Sequence, residues 1–322
     1  MNSKELSRRR FIRSAAGLAA AGASSSLMPG FAAGGKPSPK SETLVTTLYK
    51  SLSEQQRKLI CMPFDHELRS KVDNNWHVTK QRLAKDYTAD QQQMVKEIFL
   101  GLHSEGWAEK VYGQVEHDGG FGESSIAIFG EPGTGKFEFV LTGRHCTRRC
   151  DGDSLEGAAF GGPIFYGHAA EGFEEKPGHP GNVYWYQAER ANNVFQMLDG
   201  KQREQALVDG AGRKERRNKT VELTGKKAGL DGIRLTDLSA DQRAEVQHVL
   251  GDLLAPFRKR DREESMKLIK SAGMDNLHMA FYKDSDVGDD KVWDNWIVEG
   301  PSMVWFFRGD PHVHCWANIK KA

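Results

Sequence analysis

Four times this chain places Ser, Thr or Asp three residues ahead of Gln: Ser53 and Gln56, Thr88 and Gln91, Asp199 and Gln202, Ser239 and Gln242. That spacing is a capping box. The first side chain accepts from the amide three residues on, and the Gln reaches back to the amide of the cap. Each box therefore opens a helix, and the apolar spacing behind them predicts helices over about 53–60, 88–104, 200–208 and 239–254. Met94, Ile98 and Leu102 line one apolar stripe, and Val246, Leu250 and Leu253 line another. Further helices are expected near 42–50, 187–198 and 258–271. A repeated cap is not in itself a repeated domain, and residues 45–322 read as one domain.

Strand-like runs fill the spaces between the helices. Residues 125–129 and 137–141 flank a tight Gly/Pro loop and read as a hairpin. Residues 163–166, 277–282, 296–299, 303–307 and 312–319 follow. Helices, strands, helices and strands in that order predict an α+β fold, with helices packed on a mainly antiparallel, hairpin-rich sheet. Residues 209–234 are rich in Gly, Lys and Arg and poor in apolar side chains, so they read as one exposed basic insertion.

The start of the chain has a different character. Ser7-Arg8-Arg9-Arg10-Phe11-Ile12, followed by an Ala/Gly/Ser segment, fits a twin-arginine export signal with cleavage expected after Ala32. Residues 33–44 read as a linker. No apolar run approaches the roughly 20 residues of a membrane-spanning helix, so the mature chain is expected to have no span. The whole chain carries +1. The leader holds Lys4, Arg8, Arg9, Arg10 and Arg13 against Glu5, so its removal leaves −3. That balance argues against nucleic acid as a partner. The expected partners are the export machinery for the precursor and a small-molecule substrate or ligand for the mature protein, placed in the periplasm or outside the cell.

Histidines carry the chemistry. His312 and His314 stand two apart in a strand-like segment, so they point to one face. His145 precedes Cys146 as His314 precedes Cys315, and the two His-Cys segments are expected to meet as strands. Three imidazoles so gathered form a catalytic metal geometry with one position left for water or substrate. The expected cofactor is a divalent or transition metal; zinc, copper and iron all accept such ligands. His168 is the best fourth ligand, while His117 and His179 are loop histidines with weaker claims. If His145 and His314 share a face, Cys146 and Cys315 share the other. A Cys146–Cys315 disulfide behind the site is then favoured over a local Cys146–Cys150 bridge.

Among the acids, Glu299 is expected to orient a histidine, and Asp153 is expected at one end of the cleft; both are the candidate catalytic groups. Glu131, Asp151, Glu156 and Asp310 are weaker candidates. Gly130 to Lys136 matches the phosphate-loop spacing, but Phe137 stands where Ser or Thr should hold magnesium and the following run alternates like a strand. It reads as a hairpin turn. The basic cluster Arg213, Lys214, Arg216, Arg217 and Lys219, beside Glu215, reads as a solvated loop.

Taken in order, Phe129-Gly130-Glu131-Pro132, Gly143-Arg144-His145, Gln202-Arg203 with Ala206, Glu299-Gly300-Pro301 and His312-x-His314 resemble the uncharacterised domain-of-unknown-function family thirty-five hundred. The resemblance covers roughly residues 45–320. It implies an α+β fold and a shared histidine-lined site, and it supplies no reaction. The family pattern has Gly-His-His where this chain has Gly143-Arg144-His145, so only His145 carries over there, whereas His312 and His314 both carry over.

Overall fold

The computed structural model describes residues 41–169, 179, 182–284 and 292–322; the expected export signal lies outside them. Among the described residues the chain forms helices α1 (Ser41–Ser51), α2 (Glu54–Ile60), α3 (Leu83–Asp86), α4 (Ala89–Gly101), α5 (Glu105–His117), α6 (Tyr186–Met197), α7 (Gly200–Ala206), α8 (Ala240–Leu254) and α9 (Lys259–Ala272). Its strands are β1 (Cys61–Met62), β2 (Ser125–Gly130), β3 (Phe137–Gly143), β4 (Cys146–Cys150), β5 (Ile164–His168), β6 (Leu207–Val208), β7 (Ile233–Arg234), β8 (His278–Tyr282), β9 (Asn295–Gly300), β10 (Met303–Arg308) and β11 (Val313–Ile319). The fold is α+β, as the alternation of runs predicts. None of the described helices is long and apolar enough to cross a membrane.

All four capping boxes form with both of their hydrogen bonds. They also do more than start helices. The Gln56 amide reaches Gln91 at 2.9 Å and the Asp86 carbonyl at 3.0 Å; Gln202 reaches Gln242 at 2.9 Å and the Asp237 carbonyl at 2.9 Å. The boxes thus pair across the helix layer, one pair in each half of the chain. Apart from the short α3 in the first half and β7 in the second, both halves run helix, capped short helix, two-residue strand, two longer helices and then four strands.

The sheet follows the same plan. Its order is β1-β2-β3-β4-β5-β11-β10-β9-β8-β6, with β7 on β8, and all pairings are antiparallel except β1 with β2 and β6 with β8. Reading outward from the β5–β11 seam, each half meets its own strands in reverse order. The helices cover one face, where Ile126, Phe139, Leu141, Cys146, Tyr166, Trp305, Phe307 and Cys315 are buried in the main core. The other face carries Phe165, Ile297, Val304, Phe306 and Trp316. Irregular chain covers it. Trp76 and Val78 pack over Ala127, Phe129 and Val140, and Val221 packs over the second half.

Several expectations change here. Helix α1 begins at Ser41 and Leu44 is in the core, so residues 41–44 are helix and not linker. The two His-Cys segments do not pair as strands, because β5 runs between β4 and β11: Tyr166 faces Cys146 on one side and Cys315 on the other. Both cysteines do face the helices as alternation requires. They stand two strand spacings apart, roughly 9–10 Å, beyond the reach of a disulfide. Cys146 and Cys150 lie four residues apart along one extended strand and are also out of reach. All four cysteines are free. Residues 209–234 are largely exposed but are not a detached solvated loop: Arg213, Glu215, Thr220 and Val221 settle on the sheet.

Candidate metal centre

The site forms at one end of the β5–β11 seam, on the face away from the helices. Gly143 pairs with Cys146, so Arg144 and His145 form a two-residue hairpin turn rather than strand. His145 takes the left-handed region at φ 48°, a conformation costing an ordinary residue roughly 1–2 kcal/mol. This swings its ring over β5. On the far side of β5, His314 lies opposite Gly167, and His312 immediately precedes β11.

Gly167 is the floor of the site. A Cβ there would fall on the Val313 carbonyl oxygen and within 3.3 Å of Cδ2 of both His145 and His314. Only glycine lets the two imidazoles close over the strand. The ring centroids of His145 lie 5.0 Å from His312 and 4.9 Å from His314, and His312 lies 4.7 Å from His314. One ligand nitrogen from each ring falls within 4.8 Å of the others, and the rings are only 4–5% exposed.

Two carboxylates hold these rings from behind. Asp118, fully buried at the end of α5, takes Nδ1 of His145 on Oδ2, accepts the Ala169 amide there at 3.3 Å and forms an ion pair with Arg144, whose Nε lies 3.0 Å from Oδ1. Glu215 accepts from Nδ1 of His314 at 2.8 Å and from Nε1 of Trp316 at 2.9 Å, and it forms an ion pair with Arg308, whose Nε lies 3.1 Å away. Burial pushes His314 down to about 3, against the pull of Glu215, so its ring is neutral at ordinary pH. Burial alone would raise Glu215, but the donors around it win and hold the carboxyl below its usual range. The pair is a neutral imidazole donating to an ionised carboxylate. Its Nδ1–H is fixed, and the lone pair of Nε2 faces the centre.

The donor set suits a metal ion. Nε2 of His312 and His314 are 3.0 Å apart. Two nitrogens sharing a tetrahedral ion at about 2.0–2.1 Å would stand about 3.3 Å apart, so a small adjustment admits the ion. Carboxylates behind the ligating rings raise their basicity and fix their tautomer. His145, His312 and His314 can therefore hold a metal; the arrangement does not choose among zinc, copper and iron.

The other expected residues lie elsewhere. His168 ends β5 but faces the helices, because strand residues alternate and its neighbour Gly167 faces the site; it is not the fourth ligand. Glu299 shares the histidine face, two strands from His314, and is paired with Arg213. Asp153 follows the far end of β4 from His145, on the surface beside Arg260. The orienting role expected of Glu299 belongs to Glu215 and Asp118. Neither was singled out in the sequence. Asp118 adjoins the loop histidine His117, and Glu215 is the lone acid in a basic run that reads as solvated.

A family profile described as Protein of unknown function (DUF3500) matches residues 35–315. The chain belongs to this family. No curated protein and no solved structure matches the chain. The DUF3500 match ends at Cys315 and contains His145, His312, His314, Asp118, Gly167 and Glu215, so the whole site lies inside the family region.

Proposed function

We propose that this DUF3500 chain is a metal-dependent hydrolase with its ion held by His145, His312 and His314. The observation that carries the reading is the set of three buried imidazoles, two of them with Nδ1 committed to a carboxylate. Held by His145, His312 and His314, an ion would lower the pKa of water there and so would supply a nucleophile at neutral pH. The chain's own residues do the rest. Asp118 and Glu215 each engage Nδ1 of one ring and so aim its other nitrogen inward, and Gly167 leaves room above the strand. The burial of the rings favours a small substrate. No second redox-cofactor motif is visible in the sequence, which favours hydrolysis over oxidation.

The test is turnover of activated carboxylic and phosphoric esters by protein loaded separately with zinc, copper or ferrous iron. Hydrolysis with one of these ions, abolished by a chelator and by His312→Ala, is expected. Loaded protein without turnover for any metal would leave the alternative, a non-enzymatic protein that binds the metal or a small ligand at the same histidines.

We propose further that the precursor is exported by the twin-arginine route, on the support of Ser7 to Ile12 and the Ala/Gly/Ser segment behind it. Replacing Arg8 and Arg9 together by Lys should strand the precursor in the cytoplasm. Unchanged export of that variant would refute the assignment.

A further inference from the structure

The histidine centre lies at one end of the β5–β11 seam, and the strand pairing defines a counterpart position at the other end. Ile164 lies opposite Ala317 in the seam. Cys146 lies opposite Tyr166 on one side as Met303 lies opposite Ile319 on the other, and Gly143 meets Cys146 across a turn as Gly300 meets Met303. A half-turn about the Ile164–Ala317 pair, with its axis perpendicular to the sheet, therefore carries each half onto the other and keeps the same face outward. It takes Gly167 to Lys320, His314 to Gly161 and His145 to Ser302. Glu215 follows the end of β6 by the same interval at which Arg69 follows the end of β1. At the counterpart position the imidazoles are gone, and basic groups stand in place of Gly167 and Glu215.

An open cleft of about 630 Å³ occupies that position. Arg69, Lys219 and Lys320 line it together with the exposed Glu156 and Glu222, and Leu155, Pro163 and Val221 give it an apolar wall. Arg149 lies beneath: a Cβ on Gly162 would stand 3.6 Å from its Nε. Glu138 holds Arg149 at 2.7 Å and Arg69 at 3.0 Å. Four basic groups thus meet three acids, and one positive charge is left in excess.

We propose that this cleft binds a small organic monoanion, a carboxylate with an apolar body. Its volume lies in the range of small-molecule sites, which join an apolar lining to a few placed charges. A single excess charge matches one carboxylate, and the Leu155, Pro163 and Val221 wall has a use for the body behind it. The cleft is also tied to the first centre. Lys219 and Val221 belong to the segment that carries Glu215, and the Val221 carbonyl accepts from Nδ2 of Asn318 at 3.0 Å. Glu215 fastens one end of this segment to His314, and the bound carboxylate fastens the other end to the sheet.

Isothermal titration of the full chain with sodium hexanoate and sodium benzoate tests this, with hexanol as the uncharged control. A chelator is present throughout, so that no ion at the first centre can hold a carboxylate. Lys219→Glu and Lys320→Glu reverse exposed charges and should keep the fold. One saturable equivalent of at least one carboxylate is expected in wild type and equally in His312→Ala. Each lysine reversal should weaken it roughly fivefold or more, as for charge pairs near the surface, and hexanol should bind more weakly than hexanoate. No saturable binding of either carboxylate, lysine variants that bind as wild type does, loss of binding in His312→Ala, or equal binding of hexanol would each overturn the site. Because the first centre is kept metal-free in every arm, failure of the hydrolase reading leaves this result unaffected.

Discussion

His314 donates its Nδ1 proton to Glu215 and keeps Nε2 for the centre, so a second proton has no place on its ring. Burial lowers His314 to about 3, and it lowers His103, packed against Arg148, to about 3 as well. In the unfolded chain each titrates near 6.5. Between pH 6.5 and 3 the unfolded state therefore holds the extra proton and the native state does not, so stability rises with pH across that window and falls on acidification. Each such proton is worth about 1.4 kcal/mol per pH unit where the two states differ fully. In chelator-treated protein, denaturant unfolding from pH 6.5 to 5 should show a shallower acid loss in His314→Gln than in wild type, by close to one proton. Equal slopes would mean that His314 is not buried neutral. His312 and His314 were legible because His-x-His in an extended segment defines one face, whereas His145 joins them from a turn and not from the expected strand. Their carboxylates were not. Glu215 balances a run of basic residues and reads as solvated, and only the folding of residues 209–223 onto the sheet brings it to Trp316 and His314.

Helices were the most legible elements, because a capping box is a local hydrogen-bond pattern that two residues specify. The expected span 239–254 is observed as Ala240–Leu254, and 200–208 as Gly200–Ala206. Helix α5 and the short elements α3, β1, β6 and β7 escaped, and of β4 only the start, the expected His145-Cys146 strand, was foreseen. Cys146-Thr147-Arg148-Arg149-Cys150 looks too charged for a central strand, yet Arg149 is buried against Glu138 at 2.7 Å, and Arg148 binds His103 at 3.1 Å and the Phe165 carbonyl at 2.9 Å. Helix α5 is interrupted in pattern by Gly106 and Gly113 and has no side-chain cap bond. The caps that were seen have a consequence for stability. Gln242 is 7% exposed and joins the Ser239 amide, the Met197 carbonyl and Gln202. Gln242→Ala should cost about 1–3 kcal/mol in a urea unfolding experiment, since it removes several part-buried hydrogen bonds of about 0.5–1.5 kcal/mol each. Gln93→Ala, at an exposed helix position, should shift the midpoint little. Equal small effects would show that the paired caps do not tie the helices together.

At the scale of the whole molecule, the four capping boxes mark two halves of one plan, joined at the β5–β11 seam. Nothing local in the sequence announces this. The halves share caps and element order, but their pairing is set by contacts between residues more than a hundred positions apart. The candidate metal centre breaks the correspondence. His145 comes from the β3–β4 turn of the first half and His312 and His314 from the start of the last strand, while Asp118 and Glu215 come one from each half. Neither half alone assembles the site, so its existence is a property of the complete fold. The decisive measurement is elemental analysis of purified, exhaustively dialysed protein, in parallel with His145→Ala and His312→Ala variants shown to be folded by circular dichroism. One tightly held equivalent of zinc, copper or iron in the wild type, lost in both variants, is the expected result. A folded wild type that retains no ion and cannot be loaded, or variants that keep the ion, would contradict a centre built from these three histidines.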